Sequence, residues 1–171
     1  APALYLEDWN RLIEKVVTRR YPLDDGTGRT MPIMQVRIDA GGKAGVTERA
    51  FAFWRELKAK GMHRTVRLIR GASQDAAPTC KESYPDVRAR KDRTVSKGDV
   101  PVVFVNTTTL KDAIASDLQR TTAGRGFYHF PNWLPRSFYD ELTAEKRGAK
   151  RWEQVSARNE AFDLEVYNSA A

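Results

Sequence analysis

Ile33-Met34-Gln35-Val36-Arg37-Ile38-Asp39-Ala40-Gly41-Gly42 is the stretch whose reading decides the fold. Met34, Val36 and Ile38 alternate with Gln35, Arg37 and Asp39, the two-residue period of a strand with one apolar face. Asp39 therefore ends the strand on its polar face, just before two glycines where backbone approaches a ligand closely. Outward from it the pattern changes period. Thr47 to Lys60 reads as a helix with Phe51, Trp54 and Leu57 or Lys58 on one side, closed by Gly61 as a C-terminal glycine. Thr65 to Arg70 is a second strand, stopped by Gly71. Val100 to Val105 is almost wholly apolar, which suits a strand buried on both faces.

The flanks fill in the rest. Leu4 to Arg20 carries Leu6, Trp9, Leu12, Ile13, Val16 and Val17 at helical spacing, and Asp24-Asp25-Gly26 marks a turn. Ala72 to Asp99 is basic and poor in apolar residues, and reads as a surface loop. Thr108 or Thr109 is placed to cap a helix from Leu110 to Arg120. Gly124 and Gly126 make a turn before Phe127-Tyr128-His129-Phe130. A helix from Arg136 to Lys146, a short strand around Trp152 and a final helix from Ala157 complete the chain. Strands alternating with helices indicate an α/β sheet with some parallel pairing. Functional groups gather beyond the carboxyl ends of strands in such sheets, the kind of position that Asp39 holds.

The chain of 171 residues fits one domain, 1–171, and 41% hydrophobic residues suffice for a core. With 29 Lys+Arg against 22 Asp+Glu its net charge is +7, which fits either a polyanionic partner or a solvated basic surface. One cysteine, Cys80, excludes an internal disulfide and a cysteine zinc cluster. No apolar run approaches the ~20 residues of a membrane span, and Ala1-Pro2-Ala3-Leu4 does not begin a signal peptide. The absence of an initiator Met suggests a piece of something longer.

There is no GxxxxGK[ST] string for a nucleotide-binding loop and no GxSxG elbow. His129, inside an apolar aromatic run, suits a structural role. Carboxylates remain. Asp163 lies on the last helix with Asn159 four residues back and Glu160 three back, so the three share a face. Two carboxylates from separate elements are able to hold Mg²⁺ or Mn²⁺, and paired metals drive in-line phosphodiester hydrolysis. Read structurally instead, Asp39 caps a loop and Asp163 makes a surface salt bridge. Arg70 suits a phosphate contact or a solvated strand end. Arg88, Arg90, Lys91 and Arg93 suit a sequence-independent grip on the phosphate backbone or a soluble loop. Trp133, Trp152, Phe138 and Tyr139 suit core packing or base stacking.

Several segments resemble one family. Ile38-Asp39-Ala40-Gly41-Gly42 is similar to the hDxGG segment of lambda-type phage terminase large subunits. Ile69-Arg70-Gly71 resembles their IKG strand end, and Val105-Asn106-Thr107 with Lys111-Asp112 their next strand-to-helix junction. Tyr128-His129-Phe130-Pro131 resembles hHFP, and Glu141-Leu142-Thr143-Ala144-Glu145 resembles QLTAE. Arg158-Asn159-Glu160-Ala161-Phe162-Asp163 resembles RNEALD. The matches run in the family's order from about residue 30 onward.

The resemblance implies the C-terminal nuclease domain of such a subunit, RNase H-like, with a mixed sheet flanked by helices. It implies an Mg²⁺ or Mn²⁺ two-metal site that cuts double-stranded viral DNA to make genome ends during packaging into the prohead. Asp39 and Asp163 are then the metal-binding catalytic acids, with Asn159 and Glu160 supporting them. The implied partners are the small subunit, a separate ATPase domain and the portal, and the implied location is the host cytoplasm. The family's further acid, upstream in a GhDxQ-like segment, has no counterpart here. The chain is accordingly expected to lack the first strands of the fold and one metal ligand. Asp8, Asp24 and Asp25 are poor substitutes. The rival readings are a non-catalytic DNA-binding or assembly fragment, and another RNase H-like nuclease such as a resolvase.

Overall fold

A computed structural model describes residues 4–42, 44–74, 76–85 and 98–170. It is a mixed α/β structure with a four-stranded sheet flanked by helices, compatible with an RNase H-like fold. The chain forms two compact units, Ala1–Gly71 with Lys81–Phe104, and Ala72–Cys80 with Val105–Ala171.

In the first unit, α1 (Leu6–Leu12) continues into a π-helical turn, Ile13–Val17, together covering most of the helix expected over Leu4 to Arg20, whose last residue instead begins a strand. The widened turn ends where both the backbone N–H and the hydroxyl of Thr18 donate to the Ile13 carbonyl, each at 2.9 Å. Strands β1 (Arg20–Pro22) and β2 (Thr30–Pro32) pair antiparallel around the Asp24-Asp25-Gly26 turn. The turn shows in the sequence but the strands do not, because all their residues are exposed and show no alternation.

Strand β3 (Val36–Asp39) runs parallel to β4 (Val66–Gly71), with Val36 opposite Val66 and Asp39 opposite Ile69. Parallel neighbours need a crossover, and α2 (Val46–Ala59) provides it. Its buried residues Ala50, Phe53, Trp54 and Leu57 recur at helical spacing. They pack with Trp9, Val66, Leu68 and Val102 in one core, with Val36 and Ile38 against it.

The end of α2 is a Schellman motif. Met62 N–H donates to the Leu57 carbonyl at 2.8 Å and Gly61 N–H to that of Lys58 at 3.1 Å, with Gly61 at φ +74°. A Cβ on Gly61 would meet nothing within 4 Å, so Gly61→Ala tests backbone conformation alone. It is expected to lower unfolding free energy by about 1–2 kcal/mol, read from denaturant midpoints at constant m-value.

Strands β5 (Cys80–Ser83) and β6 (Val102–Val105) complete the sheet in the order β3-β4-β6-β5. Strand β6 matches its apolar run. Strand β5 corrects the reading of Ala72 to Asp99 as loop: it lies at the sheet edge, mostly exposed, where no apolar face is required.

In the second unit, Asn106 rather than Thr108 or Thr109 caps α3 (Thr107–Leu118). Its Oδ1 accepts from Thr109 N–H at 3.1 Å, and its Nδ2 donates to the Ala77 carbonyl at 2.9 Å. Helix α4 (Arg136–Leu142) stops before the expected Lys146. The Ala144 carbonyl instead accepts from Val155 N–H at 2.8 Å, and β7 (Glu145–Arg147) pairs antiparallel with β8 (Trp152–Gln154). Helix α5 (Glu160–Ser169) packs on α3 and α4 through buried Ala161, Phe162 and Val166. Phe130 gathers Tyr128, Phe138 and Tyr139 around it, and Trp152 lies edge-on to Phe162. Packing thus absorbs most of these aromatic rings, while Trp133 is 75% exposed.

Candidate functional site

Asp39 stands at the carboxyl end of β3, exposed, while its neighbour Ala40 is fully buried and donates to the Ile69 carbonyl at 2.9 Å. The Asp39 carboxylate bends back over the chain, and its Oδ1 accepts from Gly41 N–H at 2.7 Å. A Cβ on Gly41 would sit 3.0 Å from that oxygen. The first glycine therefore leaves room for one particular carboxylate orientation. Gly42 follows at φ +116°, a conformation that L side chains rarely adopt.

Register partners share a face of a sheet, so Asp39 lies on the face of Arg37, Arg67 and Ile69. Arg70 follows Ile69 in the same strand and falls on the opposite face. The basic residues Arg88, Arg90, Lys91 and Arg93 lie outside the described residues.

Asp163 belongs to the second unit, on the first turn of α5. With Asn159 it joins Lys111 and Glu145, which its helical spacing does not reveal. The Lys111 ammonium lies 2.6 Å from Glu145 Oε1 and 2.8 Å from Asp163 Oδ1. Asn159 Nδ2 donates to the same Glu145 oxygen at 2.6 Å and reaches Asp163 Oδ2 at 3.3 Å. The four side chains close a ring of contacts: Lys111, Glu145, Asn159, Asp163. The Lys111 and Glu145 side chains are only 10% and 6% exposed, whereas Asp163 is 42% exposed. Two acids and one ammonium leave one net negative charge, and the solvent side of the group is Asp163.

Asn159 and Asp163 thus share a face as their spacing suggests, and Asn159 precedes α5 as its N-cap residue. Glu160 is exposed. Further along the helix, burial raises the Glu165 carboxyl above its usual range, against a lowering hydrogen bond from Asn168.

Lys111 and Glu145 stand in two of the family-like segments quoted above, but the sequence assigns neither a role in the site. The signal for Lys111 was its place among Leu110 and Ile114 on the buried side of α3. Glu145 carried no such signal, since it read as the end of a helix and lies 34 residues from its partner.

Asp39 and Asp163 sit in separate units, and among the described residues no three His, Cys, Asp or Glu side chains group as metal ligands. No helix among them is long and apolar enough to cross a membrane.

One family model matches residues 3–171, described as the endonuclease domain of terminase large subunit gpA. No curated protein and no solved structure matches the chain. The family match spans both compact units and all the segments quoted above, from the Asp39 strand to the Asp163 helix, and the chain belongs to the terminase large subunit gpA endonuclease-domain family.

Proposed function

We propose that this domain cuts double-stranded viral DNA by phosphodiester hydrolysis, with Mg²⁺ or Mn²⁺ held by Asp39 and Asp163, to make genome ends for packaging. Family membership supports the nuclease role in phage DNA packaging, and with it a DNA substrate and a terminase complex. The observation that carries the finer reading is Asp39. It is an exposed carboxylate at the carboxyl end of a parallel strand, turned by a glycine N–H.

The donor chemistry fits, because carboxylate oxygens are the hard ligands that Mg²⁺ and Mn²⁺ take. Such metals, when bound, activate water and stabilise the leaving oxygen. The chain's own contribution is to fix the carboxylates. The Gly41 N–H orients Asp39. Lys111 and Asn159 hold the two oxygens of Asp163. The excess of seven positive charges favours a phosphate backbone, to which Arg70 and the Arg88, Arg90, Lys91 and Arg93 segment are proposed contributors. The proposed partners of the whole subunit are the small subunit, an ATPase domain and the portal, acting in the host cytoplasm.

One observation favours a second reading, a non-catalytic DNA-binding or assembly piece: no group of three ligating side chains forms among the described residues. Nicking of supercoiled plasmid separates the two. The expected result is metal-dependent nicking that EDTA abolishes. DNA binding without nicking in either metal selects the second reading.

Gly41→Ala gives a finer check. The added methyl group displaces the Asp39 carboxylate, so nicking is expected to fall by roughly 10- to 100-fold. The melting temperature should move little, since among the described residues the three atoms nearest the methyl group all belong to the exposed Asp39 carboxylate. An unchanged nicking rate would mean that the orientation of Asp39 is immaterial.

A further inference from the structure

We propose that Lys111 is a positioning residue for the reaction, anchored by Glu145 and acting on the carboxylate of Asp163. The proposal rests on the reading of Asp163 as a metal-binding acid. An ammonium has three hydrogens, and the Lys111 surroundings engage it from three sides. Glu145 Oε1 lies at 2.6 Å, Asp163 Oδ1 at 2.8 Å, and the ring of Phe162 at 5.1 Å from its centroid.

The anchor is itself fixed. The Glu145 side chain, on β7, is almost fully buried and accepts a second bond from Asn159 Nδ2 at 2.6 Å. A lysine whose sole task was to satisfy this buried acid would need Glu145 alone. Its contact to Asp163 instead reaches the half-exposed member of the group, on α5. Asn159 touches the other oxygen of the same carboxylate, so both of its oxygens are held from the protein side. The result is a carboxylate with restricted rotation and one edge toward solvent. Lys111 also cancels the charge of Glu145, so the single net negative charge of the group is carried outward.

Charge and geometry separate experimentally. The variant Lys111→Met/Glu145→Gln removes one positive and one negative charge, so the net charge of the group is unchanged while the hold on Asp163 Oδ1 is lost. Titration of Mn²⁺ followed by electron paramagnetic resonance is expected to show binding weakened about tenfold or more, with a melting temperature near that of the parent. Parent-like Mn²⁺ affinity in this folded variant would overturn the proposal. Where the double variant does not fold, Lys111→Arg serves. It keeps the charge, but its planar fork displaces Asp163, and a loss of about threefold or more is expected. Parent-like affinity there would equally overturn the proposal. Asp163→Asn is the control: if it leaves Mn²⁺ binding intact, the reading of Asp163 itself fails, independently of Lys111.

Discussion

Lys111→Met is expected to lower the unfolding free energy by about 3–5 kcal/mol, the range for removing one partner of a buried ion pair. The cause is less the lost attraction than the stranded partner. The Glu145 side chain is 6% exposed, and without the ammonium its carboxylate keeps, among the described residues, the bond from Asn159 alone. The half-exposed Asp163 adds little to this figure, because solvent screens it. Denaturant unfolding with a constant m-value measures the loss. Adding Glu145→Gln to Lys111→Met is expected to recover most of it, since two neutral side chains of similar volume replace the pair. A loss below about 1 kcal/mol in the single variant would show that Glu145 finds water or another partner.

Asp39→Ala is expected to have the opposite profile, with a large effect on activity and a small one on stability. Loss of outer partners of metal ligands typically costs 10- to 100-fold, so removal of a ligand itself should cost at least ~10²-fold in nicking rate. The carboxylate is exposed, and its bond to Gly41 N–H is worth about 0.5–1.5 kcal/mol. Nicking rate and melting temperature measured on one preparation distinguish this from a folding defect. An inactive variant that has also lost several kcal/mol of stability would make Asp39 a structural cap, as the plainer reading of its loop position holds.

The elements legible in the sequence are those whose burial shows in their apolar pattern. Strand β3 shows its alternation because Val36 and Ile38 meet the core while Arg37 and Asp39 do not. Helix α2 and strand β6 likewise carry their burial in their apolar pattern. The hairpin of β1 and β2 and the edge strand β5 are short and mostly exposed, so backbone pairing alone defines them. Strand β7 was hidden more deeply. Glu141 to Lys146 is rich in good helix formers, and only pairing with β8, the next strand along the chain, withdraws Glu145 from the helix.

The site divides along the same line. Asp39 was legible from alternation and the glycines after it, and Asn159 with Asp163 from helical spacing. Lys111 and Glu145 were not, because a buried charge has meaning only beside its partner. The position of Arg70 was legible as a strand end, but its face was not. The register with β3 places it opposite Asp39's side of the sheet, where Arg37 and Arg67 stand on the same side as Asp39.

Asp39 and Asp163 are proposed to serve one reaction. Single-turnover nicking of supercoiled plasmid in Mn²⁺ by the parent, Asp39→Asn, Asp163→Asn and the double variant tests it most directly. Groups that act as a unit are strongly non-additive. The expected result is that either single substitution lowers the rate by at least ~10²-fold and the double variant is scarcely worse than either. Near-parental nicking by either single variant, or losses that multiply in the double variant, would contradict the claim.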